Sequence, residues 1–271
     1  MVICLMLLTT GSALGKEFNI VFDGSKKTDA WLGLQQGIEE ANTQGKFLNL
    51  KYIIANFSHL NSIQDQTSTI IVSARSARRN SKLATEYPSV PIFAILPSSS
   101  AQSRPCANNI LYIRPSSQIM EKVTTLWRAE NPSGNGRAQL WHHTFKKYAA
   151  AQLNKRFEKA AAKPMSDESW SAWAAVKLFS DVAAKSANPS TQLLNPKETS
   201  ILAFDGQKGV DLNFNSELEL LQPLLIIDNG AIVSEISIEK INTLRDASSN
   251  CETLAAKNKN EDADGNNHNN I

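Results

Sequence analysis

Five short apolar runs, separated by longer segments that suit helices, constrain the fold of this chain more than any other feature. The runs are rich in β-branched and aromatic residues, and most are almost continuously apolar. Strands of this kind that alternate with helices indicate a parallel sheet covered on both faces. The first part of the chain is therefore predicted to be a doubly wound α/β lobe. The five runs are 18–22, 48–54, 68–74, 90–96 and 109–115.

The segments between the runs carry helix signals. Trp31, Leu34 and Ile38 recur at helical spacing, and Gly45 suits the carboxyl end of a helix. Two later connections are also predicted to be helical, namely 74–87 and 116–130.

A linker at 131–137 combines Pro, Ser and two Gly, and it divides the chain. After it the sequence predicts a long helix over 138–161 and a second helix over 165–187, apolar around most of its circumference. Asp205 and Gly206 favour a tight turn with positive φ before a strand. The β-rich end consists of 200–204, 210–214, 221–227 and 231–238.

Both ends of the chain are predicted to lie outside the fold. Residues 1–15 join a short apolar run to small residues, as a secretory signal peptide does, although no basic segment precedes the run. The run is too short to span a bilayer, which needs about 20 apolar residues. We therefore expect a mature periplasmic protein without a membrane span. Residues 256–271 lack apolar periodicity and are predicted to be a disordered tail.

Composition and cysteine content narrow the possible partners. Charged residues make up 20% of the chain and the net charge is +2, so there is no electrostatic case for nucleic acid or for an anionic membrane surface.

Without the signal peptide, Cys106 and Cys251 remain as a disulfide candidate in an oxidising compartment. Two unpaired thiols are an equally consistent alternative.

The candidate ligand site lies where the predicted strands end. Ligands of doubly wound sheets bind beyond the carboxyl ends of the strands, where Ser25, Ser73 and Ser98 stand together with Arg75. Arg75 could reach an anionic ligand, whereas Arg78 and Arg79 are expected on a solvated helix face. No glycine-rich phosphate motif follows the first strand, so a nucleotide ligand has weak support.

No catalytic or metal constellation is predicted. His142 and His143 are adjacent and would diverge by about 100° on a helix, so both cannot face one metal. Trp141, Trp170 and Trp173 could line a ligand wall, but helical spacing favours the core. We therefore expect no catalytic residue, metal or cofactor, and no enzyme.

Several segments resemble the leucine-binding type of periplasmic proteins, the type I periplasmic binding proteins. They are "GIEEANTQG", "SWSAWAAVKLFSDVA", "FDGQKGVDLNF" and "QPLLIIDNGAIV". A narrower resemblance joins "RPCANNILYIRPSSQIM" and "LWHHTFKKYAAAQLNKRF" to substrate-binding proteins of the ABC-transporter type that accompany PQQ-dependent alcohol dehydrogenase systems.

The resemblance implies two lobes, of which the second is shortened. Residues 16–130 would form the N-terminal α/β lobe, and residues 131–255 a reduced second lobe with a return segment. The family implies a solute-binding component of an ABC system, with a permease as partner. The shortened lobe leaves a second function open, an accessory protein that binds a quinoprotein dehydrogenase and no small molecule.

Overall fold

The computed structural model describes residues 15–60, 66–100, 103–105 and 107–245, and its centre is a parallel sheet. The sheet has five strands in the order β2-β1-β3-β4-β5, which confirms the predicted doubly wound arrangement. Within it, Ile20 of the first strand lies opposite Ile54 and Ile70 of its two neighbours. The strands are β1 (Lys16–Asp23), β2 (Leu50–Ala55), β3 (Thr69–Ser73), β4 (Ile92–Ala94) and β5 (Ile110–Tyr112).

Helices cover the sheet on both faces and create two separate apolar cores. One face packs against the smaller core, which includes Leu60, Leu83 and Val90. The other face forms the larger core with the tryptophans of the second half. The connecting helices are α1 (Asp29–Gly45), α2 (Phe57–Leu60), α3 (Ala77–Glu86) and α4 (Ser117–Glu130), with a 3₁₀ turn at Gln66–Ser68.

The larger core is closed by helices α5 (Ala150–Ala161) and α6 (Asp167–Ala183), which come from beyond the linker. The α1 and α6 helices run side by side in the same direction. Gly33 allows the contact, because a Cβ at this position would lie 1.9 Å from the carbonyl oxygen of Ser169. In the same contact, the indole N–H of Trp173 on α6 donates a hydrogen bond to the carboxylate of Glu40 on α1 over 2.9 Å.

The rest of the described chain forms two small antiparallel sheets, each with three strands, and short helices. One sheet has the order β11-β10-β6 and the other β7-β8-β9. The strands are β6 (Arg137–Gln139), β7 (Phe204–Asp205), β8 (Asp211–Phe214), β9 (Leu220–Leu221), β10 (Leu224–Asp228) and β11 (Ala231–Ile236). The short helices are α7 (Pro189–Leu193), α8 (Pro196–Thr199) and α9 (Ile238–Asn242).

The long helix predicted over 138–161 is wrong in its first half. Residues 137–139 form β6, and the helix begins only at Ala150. Tyr148 and Ala149 both have left-handed φ values, 53° and 67°, which no helix continues through. The apolar stripe therefore misled the prediction, since Trp141 is buried from an irregular segment.

Two further predictions need correction in the β-rich end. The positive φ of the turn lies at Gln207 and Gly209, 60° and 77°, instead of at Gly206. The run 200–204 is mostly not a strand, and Pro223 lies where 221–227 divides into β9 and β10.

Candidate functional site

The carboxyl ends of the parallel strands bring together the residues that the sequence assigns to a ligand site. β1 ends at Asp23 and leads to Ser25, and β3 ends at Ser73 and leads to Arg75. Since the strands are parallel, these loops and the loop that carries Ser98 lie at one edge of the sheet. The amino ends of α1, α3 and α4 point to the same edge, and their dipoles favour negative charge there. We call residues 23–25, 73–76 and 97–98 the strand-end rim.

Asp23 is held by two arginines, and we call these three residues the Asp23 cluster. The Nε of Arg75 donates to Oδ1 over 3.2 Å, and the Nε of Arg79 donates to Oδ2 over 2.9 Å. The Asp23 side chain is 9% exposed, but 49% of Arg75 and 35% of Arg79 face solvent. Because two guanidinium groups share one carboxylate, the cluster keeps one positive charge at the surface.

The other predicted rim residues differ in accessibility. Ser73 is fully buried and donates to the Oδ1 of Asn80 over 2.6 Å. Ser25 is exposed, and its Oγ accepts from the backbone N–H of Lys27 over 3.3 Å. Of these residues, Arg75 and Ser25 are therefore the two that a solute could touch from outside.

Ser98 belongs to a second, buried group of charges. Its Oγ accepts from the Nε of Arg104 over 2.9 Å, and that guanidinium lies 4.2 Å from the ring centroid of Tyr112. Arg104 pairs with one oxygen of Glu219 over 2.5 Å, and Arg245 donates to the other. The Glu219 side chain is fully buried. We call Arg104, Glu219 and Arg245 the Glu219 cluster.

Sequence reasoning missed the acidic members of both clusters. Asp23 directly follows the apolar run 18–22, and Glu219 lies between Leu218 and Leu220. A carboxylate inside or directly after an apolar run predicts a cation nearby in the fold, because burial of an unpaired charge is costly. This signal could have found both residues, but it could not have named their partners.

A second concave region lies away from the rim, beside Tyr148 and Lys208. It is a cavity of about 450 Å³, and Asp211, Glu235 and Glu239 also line it. The strained backbone at Tyr148 is packed against Gly209, since a Cβ there would lie 2.5 Å from the ring of Tyr148.

Lys208 is almost completely buried at this cavity. Its Nζ donates to the carbonyl oxygens of Leu140, over 2.7 Å, and of Pro223, over 3.1 Å. The ammonium also lies 4.5 Å from the ring centroid of Trp170. Burial lowers the pKa of Lys208 to about 7, against a smaller opposing effect of Asp167. These contacts point into the protein, so Lys208 ties the turn at 205–209 to the core.

The histidines and tryptophans have structural surroundings. His142 and His143 lie in the irregular segment before α5, with ring centroids 4.4 Å apart. Burial lowers the pKa of His142, and His143 adds to the effect. Trp141, Trp170 and Trp173 are buried, which confirms the prediction that they belong to the core.

Other expectations lie partly or wholly outside the described residues. Cys106, Cys251 and the segment 256–271 are among those not described, so the disulfide stays a prediction. Within residues 15–60, 66–100, 103–105 and 107–245, no group of three or more His, Cys, Asp and Glu side chains could hold a metal ion. In the same part of the chain, no helix is both long and apolar enough to cross a membrane.

Comparison by sequence finds no matching family model and no matching curated protein.

Comparison by structure finds clear similarity to solved proteins. A branched-chain amino acid ABC transporter periplasmic ligand-binding protein from Burkholderia xenovorans LB400 matches with a TM-score of 0.63 and 9% identity, over 83% of this chain and 96% of that one. The leucine-binding protein LivK from Thermotoga maritima MSB8 matches with a TM-score of 0.62 and 8% identity, over 82% of this chain and 99% of that one. A periplasmic binding protein from Burkholderia mallei matches with a TM-score of 0.64 and 9% identity, over 84% of this chain and 96% of that one. The chain therefore has the fold of the type I periplasmic binding proteins.

Proposed function

We propose that the protein is a periplasmic solute-binding component of an ABC-transporter-type system, and that its solute carries a carboxylate. The fold supports a binding protein, since two of the three similar structures are described by the solutes or ligands they bind. The strand-end rim supports the choice of solute. Catalysis forms no part of the proposal.

The observation that carries the proposal is the charge of the Asp23 cluster. Arg75 and Arg79 outnumber Asp23, and both arginines are partly exposed. The surplus positive charge lies at the edge of the sheet to which the amino ends of three helices point. An arginine that shares its partner can turn one edge of its guanidinium to a ligand carboxylate.

We expect the affinity to be modest. Among the described residues, the five-stranded sheet is the single parallel sheet. We propose accordingly that residues 131–255 are a reduced second lobe, so that a solute at the rim would be covered on one side. A formed pocket buries about 70–90% of a ligand, and a one-sided site loses much of that burial.

Calorimetry tests the proposal with leucine, isoleucine and valine against small alcohols and aldehydes. The carboxylate solutes should bind weakly, and Arg75→Gln should lower their affinity by about tenfold, as expected for a lost charge-assisted contact. Arg78→Gln is the matched control, because Arg78 lies three residues further along, in the first turn of α3, is exposed, and has no carboxylate partner among the described residues. Absence of binding for every carboxylate solute would refute the proposal.

The second candidate is an accessory role without a small ligand. It is favoured by the internal bonds of the predicted site, since Ser73 and Ser98 are buried and Arg75 already has a carboxylate partner. The suggestion that this partner protein is a quinoprotein dehydrogenase rests on the sequence resemblance alone. Titration with a purified quinoprotein alcohol dehydrogenase, in the absence of solutes, would separate the two functions.

A further inference from the structure

Two neighbouring apolar side chains stand in solvent at the end of the sheet opposite the strand-end rim. Phe47 is 89% exposed and Leu48 is 47% exposed. They belong to the turn between α1 and β2, where the N–H of Phe47 donates to Gln44 over 3.2 Å and that of Leu48 to Gly45 over 3.0 Å. Asn49 completes the turn with a left-handed φ of 54°. The turn thus holds both side chains away from the core.

The same end carries positive charge from three lysines. Lys46 precedes Phe47, and Lys185 follows α6, whose carboxyl end lies beside that of α1. Both lysines are exposed and have no carboxylate partner in the described ranges. Lys16 begins β1, and its Nζ donates to the carbonyl oxygen of Ala187.

Two acids near this end are already paired with lysines. Glu17 forms an ion pair with Lys51 over 2.9 Å, and Asp181 forms one with Lys177. The lysines at 16, 46 and 185 therefore add positive charge at this end of the sheet. The net charge of +2 for the whole chain hides this local excess.

We propose that the turn at 46–49 docks on an anionic lipid surface. Phe47 and Leu48 would enter the boundary between headgroups and acyl chains, while Lys46 and the two neighbouring lysines face the lipid phosphates. This combination of apolar side chains with surrounding basic residues is what interfacial binding requires.

Charge and size favour a lipid surface over a second copy of the chain. Two copies that meet through this end would bring the same lysines together. Two apolar side chains are also far fewer than the roughly 20–30 residues a side of a stable protein interface. The described chain starts at the same end, since the N–H of Lys16 donates to Asn49 over 3.0 Å.

Vesicle co-sedimentation of the full chain tests the proposal. Vesicles of equal parts phosphatidylglycerol and phosphatidylcholine should bind the protein, and vesicles of phosphatidylcholine alone should bind much less. Phe47→Ser with Leu48→Ser should lower the partition coefficient by about tenfold or more, because both side chains lose apolar burial. Lys46→Glu should lower it by about fivefold or more on the anionic vesicles only.

Ile201→Ser with Val233→Ser is the matched control, since these side chains are 79% and 50% exposed on other elements. This control should bind as the wild type does, and thermal unfolding should show that both double variants fold. Equal binding by the Phe47 and Leu48 variant would assign attachment to another segment and overturn the proposal. Absence of wild-type binding would also overturn it, as would a wild-type dimer that becomes monomeric in this variant.

Discussion

The Asp23 cluster and the Glu219 cluster have the same composition, two arginines around one carboxylate, but opposite surroundings. In the first, 49% of Arg75 and 35% of Arg79 are exposed. In the second, Glu219 is fully buried and Arg104 is 4% exposed. Both clusters lie near the same edge of the parallel sheet.

The difference shows that burial, more than composition, decides what such a group does. An exposed cluster gains little from its ion pairs and can exchange one partner for a ligand at small cost. A buried cluster has already lost its hydration, so every charge in it depends on the partners that the fold provides. The Asp23 cluster is thus suited to binding, and the Glu219 cluster joins the loop after β4 to the segment before β9.

Removal of the buried carboxylate should have the largest effect. Glu219→Gln leaves two cations facing each other inside the protein, and we expect a loss of about 3–5 kcal/mol in the free energy of unfolding. Urea denaturation measures the loss. Glu217→Gln, two residues earlier and partly exposed, is the control and should cost less than about 0.5 kcal/mol. Similar losses for the two variants would show that the burial of Glu219 is unimportant.

Lys208 is buried like the Glu219 cluster, but no carboxylate is bound to it. Burial lowers its pKa to about 7 from 10.5. Between these two values the unfolded chain holds a proton that the folded protein has released, so stability should rise with pH. The slope attributable to Lys208 is about 1.4 kcal/mol per pH unit, and it should vanish below pH 7.

Denaturant unfolding of wild type and Lys208→Met at several values between pH 7 and pH 9 checks this slope. The difference between the two proteins should grow with pH in favour of the wild type. A constant difference would mean that the buried ammonium stays charged over the range.

Asp23, whose arginine partners are partly exposed, should matter much less for stability than Glu219. Asp23→Asn should cost under about 1 kcal/mol, because its two arginines remain solvated. The same change frees both guanidinium groups and should strengthen the binding of carboxylate solutes in calorimetry. A loss as large as that of Glu219→Gln would abolish the distinction between the two clusters.

Salt should have the smallest effect on stability, and the effect should differ between the two clusters. Raising NaCl from about 0.05 M to about 0.5 M shortens the screening length and should remove most of the stability difference between wild type and Asp23→Asn. The difference between wild type and Glu219→Gln should persist, since buried pairs are screened much less. Equal salt sensitivity in both pairs would contradict the comparison.

The parallel sheet could be predicted because each of its strands can be recognised from its own residues. Runs such as 68–74 are apolar throughout, and the helix at 29–45 carries its own periodicity and its own end signal. The segment 138–149 could not be predicted in the same way. Its conformation depends on distant partners, such as Asp167, which accepts from the N–H of Trp141 over 2.8 Å, and Gly209, which packs on Tyr148.

The same contrast between local and long-range determinants applies to the candidate site. Arg75 could be placed at the rim because it follows a predictable strand, but its partner Asp23 comes from another strand of the sheet. The burial of Ser98 depends on Arg104 and Glu219, which meet only in the folded protein. Local patterns therefore locate the edge of the sheet, and long-range pairing decides which of its side chains are available.

The close approach of α6 to α1 also determines when during synthesis the protein can become compact. Phe179 of α6 packs edge-on against Phe18 of β1, with ring centroids 5.5 Å apart, so part of one face of the sheet stays uncovered until α6 has been made. At a synthesis rate of about 5–20 residues per second, the ribosome needs several more seconds after α4 to release that helix. The nascent chain should therefore remain open and accessible to chaperones until late in translation. Such a delay would suit the periplasmic location proposed above, because a chain that folds early is harder to pass through a secretory channel.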